Sequence, residues 1–295
     1  MATSRELRNK INSVKNTKKI TRTMEMIATA KSVVCQKRIE AVQPYGNKVA
    51  ELLDDLKKAG AGGDELAAKF PLLRVPAKAE REALFVITAN RGLCGGYNAN
   101  TLKLAEMHIR EQRARGVDVE VHMIGKKGAA RFRYLGREVS KVYIDFDDRP
   151  TFSQAEAILD PVLDRFAGGE LDAVTIVSTR YLNAARQAPE KRHILPLSTG
   201  GEAASGAHGS TDFLFEPSPE EILGTLVPMT LKMQLFQALV EAAASEQIAR
   251  RIAMKNATDN ADEMIRTYTM LYNRTRQAGI TQEILEIVGG AEALA

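Results

Sequence analysis

The hydrophobic positions fall into two regimes. Both ends of the chain carry long stretches with an apolar residue every third or fourth position, and the middle carries short continuous apolar runs. The last stretch, from about Glu220 to Val288, opens with a ladder at Ile222, Leu226, Met229, Met233, Phe236, Val240 and Ala243. Its steps alternate four and three. That is a heptad seam, so this face is expected to lie along another helix with a slow left-handed supercoil. At ~1.5 Å per residue such a helix spans roughly 100 Å. A compact domain of this size is narrower, so the helix is expected to project and to need a partner, first of all the other end of the same chain.

Beyond Ala243 polar residues dominate: Arg250, Arg251, Lys255, Asn256, Asp259, Asn260 and Asp262, with Ile248, Ile252, Met264, Tyr268 and Leu271 between them. Two readings stand. One is a solvated face beside a thinner seam. The other is a helix surrounded by protein and contacting it through polar side chains. Gly279 is a weak spot, since a helical glycine costs about 1 kcal/mol relative to alanine, and Gly289-Gly290 is an expected stop.

The first helix is expected to start at a Thr3 or Ser4 cap and to run to about Lys58, before Gly60-Ala61-Gly62-Gly63. Its apolar positions include Leu7, Ile11, Val14, Ile20, Met24, Ile27, Val34, Val42, Val49, Leu52 and Leu56, which fit one buried stripe. Pro44 is expected to kink it. Between these ends the periodicity switches. Ala83–Thr88, Val117–Ile124 and Ala173–Ser178 read as strands, and His193–Leu197 as an edge strand. Asn98–Arg115, Lys127–Leu135 and Ser153–Phe166 read as helices between them. This alternation implies a mostly parallel sheet covered by helices, a small Rossmann-like layer domain inserted between two long helices.

Composition narrows the chemistry. The chain has 295 residues, 44% of them hydrophobic, 5% aromatic and no tryptophan. That suits long helices better than a sandwich. The two cysteines, Cys35 and Cys94, show neither disulfide nor zinc spacing, so no metal is expected. No apolar run approaches the ~20 residues that span a bilayer, and neither a signal peptide or acid-free leader before the first helix nor direct membrane insertion is expected. Net charge is only +4, but Arg5, Arg8, Lys10, Lys15, Lys18, Lys19, Arg22, Lys31, Lys37 and Arg38 crowd the first helix. A solvated basic face, phosphate contacts to nucleic acid and docking on an acidic protein surface all fit that charge. The scarcity of aromatics there argues against a single-strand stacking platform, and no base-reading module is visible.

One loop has the composition of a phosphate cradle: Ala89-Asn90-Arg91-Gly92-Leu93-Cys94-Gly95-Gly96-Tyr97-Asn98, between a strand and a helix. Its glycine spacing is neither the dinucleotide fingerprint nor a P-loop, and the glycines equally suit a tight turn. Cys94 has no histidine at a pairing distance in sequence among His108, His122, His193 and His208, so an inert thiol is expected. A nucleotide-dependent enzyme on the central domain therefore stands only as an alternative.

Three segments carry a resemblance. They are Asn16-Thr17-Lys18-Lys19-Ile20-Thr21-Arg22-Thr23-Met24-Glu25-Met26-Ile27-Ala28, then Arg91 to Asn98, then Ser245-Glu246-Gln247 through Met254-Lys255, Ala257-Thr258-Asp259-Asn260-Ala261, Tyr272-Asn273, Arg276-Gln277 and Ile280-Thr281-Gln282-Glu283-Ile284. The sequence resembles the gamma subunit of the F-type ATP synthase, in its bacterial form, over nearly its whole length. The resemblance implies an antiparallel left-handed coiled coil of the terminal helices with an α/β domain at one end. It implies a central rotor stalk, without chemistry or cofactor of its own, coupling rotation of the membrane c-ring to the beta-subunit catalytic sites. The implied partners are the alpha and beta ring around the coiled coil, and the epsilon subunit and c-ring at the globular foot. Nucleic acid is not among them. The implied place is peripheral, on the cytoplasmic face of the bacterial inner membrane.

By the same resemblance Met24, Arg250, Gln277 and Thr281 are shaft positions that contact the surrounding ring. This favours the enclosed reading of the polar C-terminal stretch and the acidic-surface reading of the basic helix. No dithiol insert is seen, so no redox switch is expected. The expected organisation is residues 1–58 as the N-terminal coiled-coil helix, 59–80 as linker, 81–200 as the α/β domain, 201–218 as a loop and short extended segment, and 219–295 as the C-terminal coiled-coil helix.

Overall fold

A computed structural model describes residues 3–59, 70–76, 78–146, 148–184, 186–197 and 219–292. The glycine/serine-rich loop expected at 198–210 lies outside the described residues, as does most of the 59–80 linker. Two helices bracket the chain: α1 (Ser4–Ala59) and the last helix, α5 (Pro219–Glu292). Between them come β1 (Arg81–Ile87), α2 (Tyr97–Ala114), β2 (Asp118–Ile124), α3 (Lys126–Tyr134), β3 (Lys141–Tyr143), α4 (Phe152–Ala167), β4 (Ala173–Tyr181) and β5 (Gln187–Leu195). The chain divides into two compact units. One comprises residues 1–29 and 250–295, the other 30–249.

The larger unit is built on a five-stranded sheet of order β3-β2-β1-β4-β5. The first four strands are parallel and β5 runs antiparallel along β4. Central strands of a sheet covered on both faces must be apolar throughout, and β1 is buried from Glu82 to Ile87. On one face, α2 and α3 cover Leu84, Val86, Val121 and Met123. On the other, Phe85, Ile87 and Ile176 meet α4 through Ile158, Leu159, Val162 and Phe166. Helix α4 is started by a capping box, with Thr151 and Gln154 bonding each other's backbone N–H groups.

The strand β3 was not anticipated. Three residues with exposed Lys141 and Val142 give too short a pattern to read. The edge strand begins earlier than expected, at Gln187, and Pro189 sits in it, where a missing N–H is tolerated.

The same α4-side core takes in the first third of α5. Leu223, Val227, Leu231, Leu235 and Leu239 form its buried row, with Ala238 and Ala242 beside it. The steps are mostly four, so the row winds around the helix, and from Leu235 to Gln247 α5 is buried on nearly every side. Of the expected ladder, Phe236 and Val240 are buried in this core. Ile222, Leu226 and Met233 lie half-buried at its margin, because this part of the helix packs on the α/β layer as well as on α1. The burial of α5 corrects the membrane reading. By length and composition alone α5 does pass as a membrane span, but 44% of that window is buried inside the protein. Helix α1 contributes Cys35 and Ile39 to this core.

In the smaller unit the two helices run antiparallel. Thr258 Oγ1 donates to Thr21 Oγ1 at 2.9 Å, and Lys18 pairs with Asp262. On α1 one row of covered positions is Leu7, Ile11, Val14, Lys18, Thr21, Glu25 and Ala28, alternating four and three, with Met24 beside it. On α5 they are Met254, Thr258, Ala261, Ile265, Tyr268, Tyr272 and Thr275. These are heptad seams, and Leu7, Ile11 and Val14 lie in theirs as expected, whereas Ile20 and Ile27 do not. Ile20 is 61% exposed and Ile27 52%, while polar Lys18 and Thr21 take seam places. Beyond Val14 the most hydrophobic positions of α1 are therefore not the ones that face the partner helix. The expected stop at Gly289-Gly290 is also corrected. Helix α5 runs through both to Glu292, because a glycine pair lowers helix propensity without by itself supplying a cap.

Two measurements check this packing. With Thr21 and Thr258 both replaced by cysteine, oxidation should link the helices, because hydroxyls 2.9 Å apart put the two β-carbons within disulfide reach. Thr23→Cys with Thr258→Cys should not link, since Thr23 is exposed. Phe166→Ala should cost about 3–5 kcal/mol in urea unfolding, the usual range for a large buried aromatic.

Candidate functional site

Parallel α/β sheets hold ligands in the crevice beyond the carboxyl ends of their strands, so that crevice is the place to look for chemistry. Here it is lined by Ile87, Thr88, Asn90, Ile124 and Gly125, and closed by Leu239, Ala242, Ala243 and Glu246 of α5. The space left beneath α5 is about 60 Å³, far below the ~300–1,000 Å³ of ligand sites; beside it an open cleft of about 490 Å³ is lined by Asn90, Lys126, Asp145, Arg149 and Gln154.

The start of α3, which lies against the residues after β1, has its amides taken. At the start of α3 the N–H of Lys126 donates to Asn90 Oδ1 at 3.0 Å, that of Lys127 to the Ala89 carbonyl at 3.1 Å, and that of Gly128 to Thr88 Oγ1 at 3.1 Å. These are the amides that would cradle an anion. A β-carbon on Gly128 would lie 2.7 Å from Thr88 Oγ1 and 2.4 Å from Met123 Sδ. Glycine is thus required for close packing, not for a ligand. Cys94 is buried and accepts a hydrogen bond from Asn98 Nδ2 at 3.2 Å, a setting for a structural thiol. The geometry opposes a nucleotide enzyme in this crevice.

Buried titratable groups lie elsewhere. His108 Nε2 is 2.7 Å from Glu82 Oε1, both fully buried. Burial pushes the Glu82 carboxyl up, but the His108 and Thr175 contacts outweigh it and hold the carboxyl below its ordinary range. His193 and His122 are both held below the ordinary histidine range by burial, against the pull of Glu82 and Glu120 respectively. The Arg165 guanidinium grips Glu120 with two bonds at 3.1 and 2.8 Å and lowers its carboxyl. These groups tie strand to helix and strand to strand. None opens on the crevice.

The expected shaft residues all fall in the smaller unit. Met24 is half-buried, Arg250 is buried, and Gln277 and Thr281 are exposed. Thr281 Oγ1 donates to the Gln277 carbonyl at 3.0 Å, so these two share one turn. Arg250 stands apart from them along α5. The four therefore do not form one pocket: Met24 reaches the helical surface in one place, Gln277 and Thr281 in another, and Arg250 is buried.

Around them the surface is mixed. Arg5, Arg8, Lys10, Lys15, Lys19 and Arg22 are exposed on α1. Every residue from Arg276 to Ala291 on α5 is exposed, including Ile280, Ile284, Leu285, Ile287 and Val288. The polar seam residues Thr21 and Thr258 were not singled out by sequence. Their signal is faint, a heptad place occupied by a small polar residue.

The comparisons with known proteins decide the family. The ATP synthase family model matches residues 3–294. The ATP synthase gamma chain of Leptospira biflexa is 45% identical over 294 residues, covering all of both chains. That of Gemmatimonas aurantiaca is 44% identical, covering all of this chain and 99% of the other. The chain belongs to the ATP synthase gamma chain family. A chain in the Euglena gracilis mitochondrial ATP synthase is similar in fold, with a TM-score of 0.65 and 21% identity, over 99% of this chain and 94% of that one. A chain in the Tetrahymena thermophila mitochondrial ATP synthase central stalk and c-ring matches with a TM-score of 0.59 and 22% identity, over 81% of this chain and 99% of that one.

The two lowered histidines set a pH dependence. Unfolded, each titrates near ~6.5; folded, each binds its proton only at lower pH. The unfolded state therefore takes up more protons below about pH 6.5, and the stability from this source, present above that pH, is lost as pH falls through the folded values. The melting temperature should drop between pH 7.5 and 5.5. His122→Gln with His193→Gln should flatten that slope. An unchanged slope in the double variant would contradict the assignment.

Proposed function

We propose that the chain is the central rotor stalk of a proton-translocating ATP synthase. It passes rotation of a membrane c-ring to catalytic sites on a surrounding ring of alpha and beta subunits, without chemistry of its own. The observation that carries this is the end-to-end match to ATP synthase gamma chains. Solved neighbours of the same fold carry the descriptions central stalk and rotor. In this reading the smaller unit is the shaft inside the ring, and the α/β unit is the foot that meets the epsilon subunit and the c-ring. The complex is peripheral on the cytoplasmic face of the bacterial inner membrane.

Physical chemistry supports the division of labour. The register of Thr21 against Thr258 puts the first turn of α1 opposite about Thr275. Helix α5 continues beyond that as a single helix with five large apolar residues exposed. An apolar stripe of that size on a soluble protein marks a protein-facing surface. The exposed basic face of α1 suits acidic loops of a ring. Met24, Arg250, Gln277 and Thr281 are the proposed contacts to that ring.

The direct test is purification. Tagged protein from its own host should bring down alpha, beta and epsilon subunits, and their absence would contradict the reading. A finer test is Met24→Lys. A methionine slides past changing surfaces without directional bonds. A lysine pairs with a ring carboxylate in one rotary position. Such a partly shielded pair is worth about 1–3 kcal/mol, and each ~1.4 kcal/mol is tenfold in rate. Assembly should survive while ATP-driven proton pumping falls relative to ATP hydrolysis. Wild-type proportions in membrane vesicles would remove Met24 from the contact set.

A further inference from the structure

One residue outside the shaft contacts joins three parts of the α/β unit. Asp148 lies between β3 and α4. Its Oδ2 accepts from Lys31 Nζ of α1, and its Oδ1 accepts from Gln247 Nε2 of α5. Its carbonyl accepts from the Cys35 thiol at 3.6 Å, and two residues on the Pro150 carbonyl accepts from Arg38 Nη2 at 2.8 Å. Gln247 is 2% exposed. Burial, reinforced by Asp148, raises the Cys35 thiol above its ordinary range, so it stays a neutral donor. Both terminal helices are thus bonded to one short stretch of chain.

That stretch is itself held to the sheet. Asn90 Nδ2 donates to the carbonyls of Ile144 (3.2 Å) and Phe146, while Asn90 Oδ1 accepts from the Lys126 N–H at the start of α3. Gln154 Nε2 of α4 donates to the Asp145 carbonyl at 2.9 Å. Hydrogen bonds thus tie the ends of β1 and β2 through Asn90 to Ile144 and Phe146, and others tie Asp148 and Pro150 to α1 and α5.

Apolar packing alone resists separation of helix and sheet but resists sliding and twisting poorly, because dispersion and burial are not directional. Hydrogen bonds have preferred distances and angles. A rotor needs resistance to twist. We propose that Asp148 is the pin that locks both terminal helices to the sheet against torsion, with Asn90 holding the pin in place. This rests on the rotor reading for its purpose but not for its geometry. Asp148 is a positioning residue, touching neither nucleotide nor ion.

The test separates the two. In the full-length chain, spin labels at exposed Lys37 of α1 and Lys103 of α2 report the helix-to-domain distance distribution. Asp148→Ala should broaden it, and Asp148→Asn, which keeps acceptance from Gln247 but loses the charge facing Lys31, should broaden it less. An unchanged width in Asp148→Ala would overturn the pin, whatever the protein's function.

In membrane vesicles, protons pumped per ATP hydrolysed are then followed as the opposing proton gradient is raised. The Asp148→Ala ratio should fall further below wild type as the load rises. Lys31→Asp with Asp148→Lys should recover part of the loss. Mere misfolding would lower the amount of assembled complex and leave the load dependence of the ratio as in wild type, and that result would overturn the torsional role. Pumping that persists in membranes lacking this chain would instead contradict the rotor reading, and the spin-label result would still decide the pin.

Discussion

Burial of the first third of α5 is the constraint on which the larger unit depends. Leu223, Val227, Leu231, Leu235 and Leu239 share one buried core with Phe85, Ile87 and Ile176 of the sheet and with α4. Without that row the core opens to water, at roughly 1.5–3 kcal/mol for each large side chain left exposed. The helix also occupies the crevice that other α/β sheets keep for ligands. One act of packing thus completes the core, anchors a terminal helix and narrows the crevice beneath it to about 60 Å³.

The loop after β1 follows from this. Its first residues turn toward the start of α3, where the backbones approach as closely as in a phosphate cradle. In this protein Thr88, Ala89 and Asn90 supply the oxygens that a phosphate would supply elsewhere. Gly125 and Gly128 make room for them. The second shared feature is polarity within the helix pair. Thr21 and Thr258 in the middle of a seam give up burial energy and gain a defined register, the best-attested use of buried polar groups between helices.

Much of the architecture was legible in sequence. The change from helical spacing to short apolar runs located β1, β2 and β4, and the spacing beyond them located α2, α3 and α4, because strong periodicity survives any tertiary context. The segments Asn16 to Ala28, Arg91 to Asn98 and Ser245 to Ile284 pointed to the family. What stayed hidden depended on partners far away in the chain. Ile20 and Ile27 look like core on hydrophobicity, yet the antiparallel register turns Lys18 and Thr21 inward instead. The Leu223 to Leu239 row steps by four because it packs on more than one layer, and a seam drawn at three and four misses it. Asp148 carries no signal in a run of acidic residues, since its partners Lys31 and Gln247 stand about a hundred positions away on either side.

The central claim is mechanical: the chain turns as a body while chemistry happens on its neighbours. Observing that motion is the most direct measurement. A fluorescent rod attached at exposed Lys103 of the α/β unit, in a complex immobilised through its alpha and beta ring, is watched as ATP is added. The account predicts sustained one-way rotation whose rate tracks ATP hydrolysis. A rod that stays fixed while hydrolysis continues would contradict it.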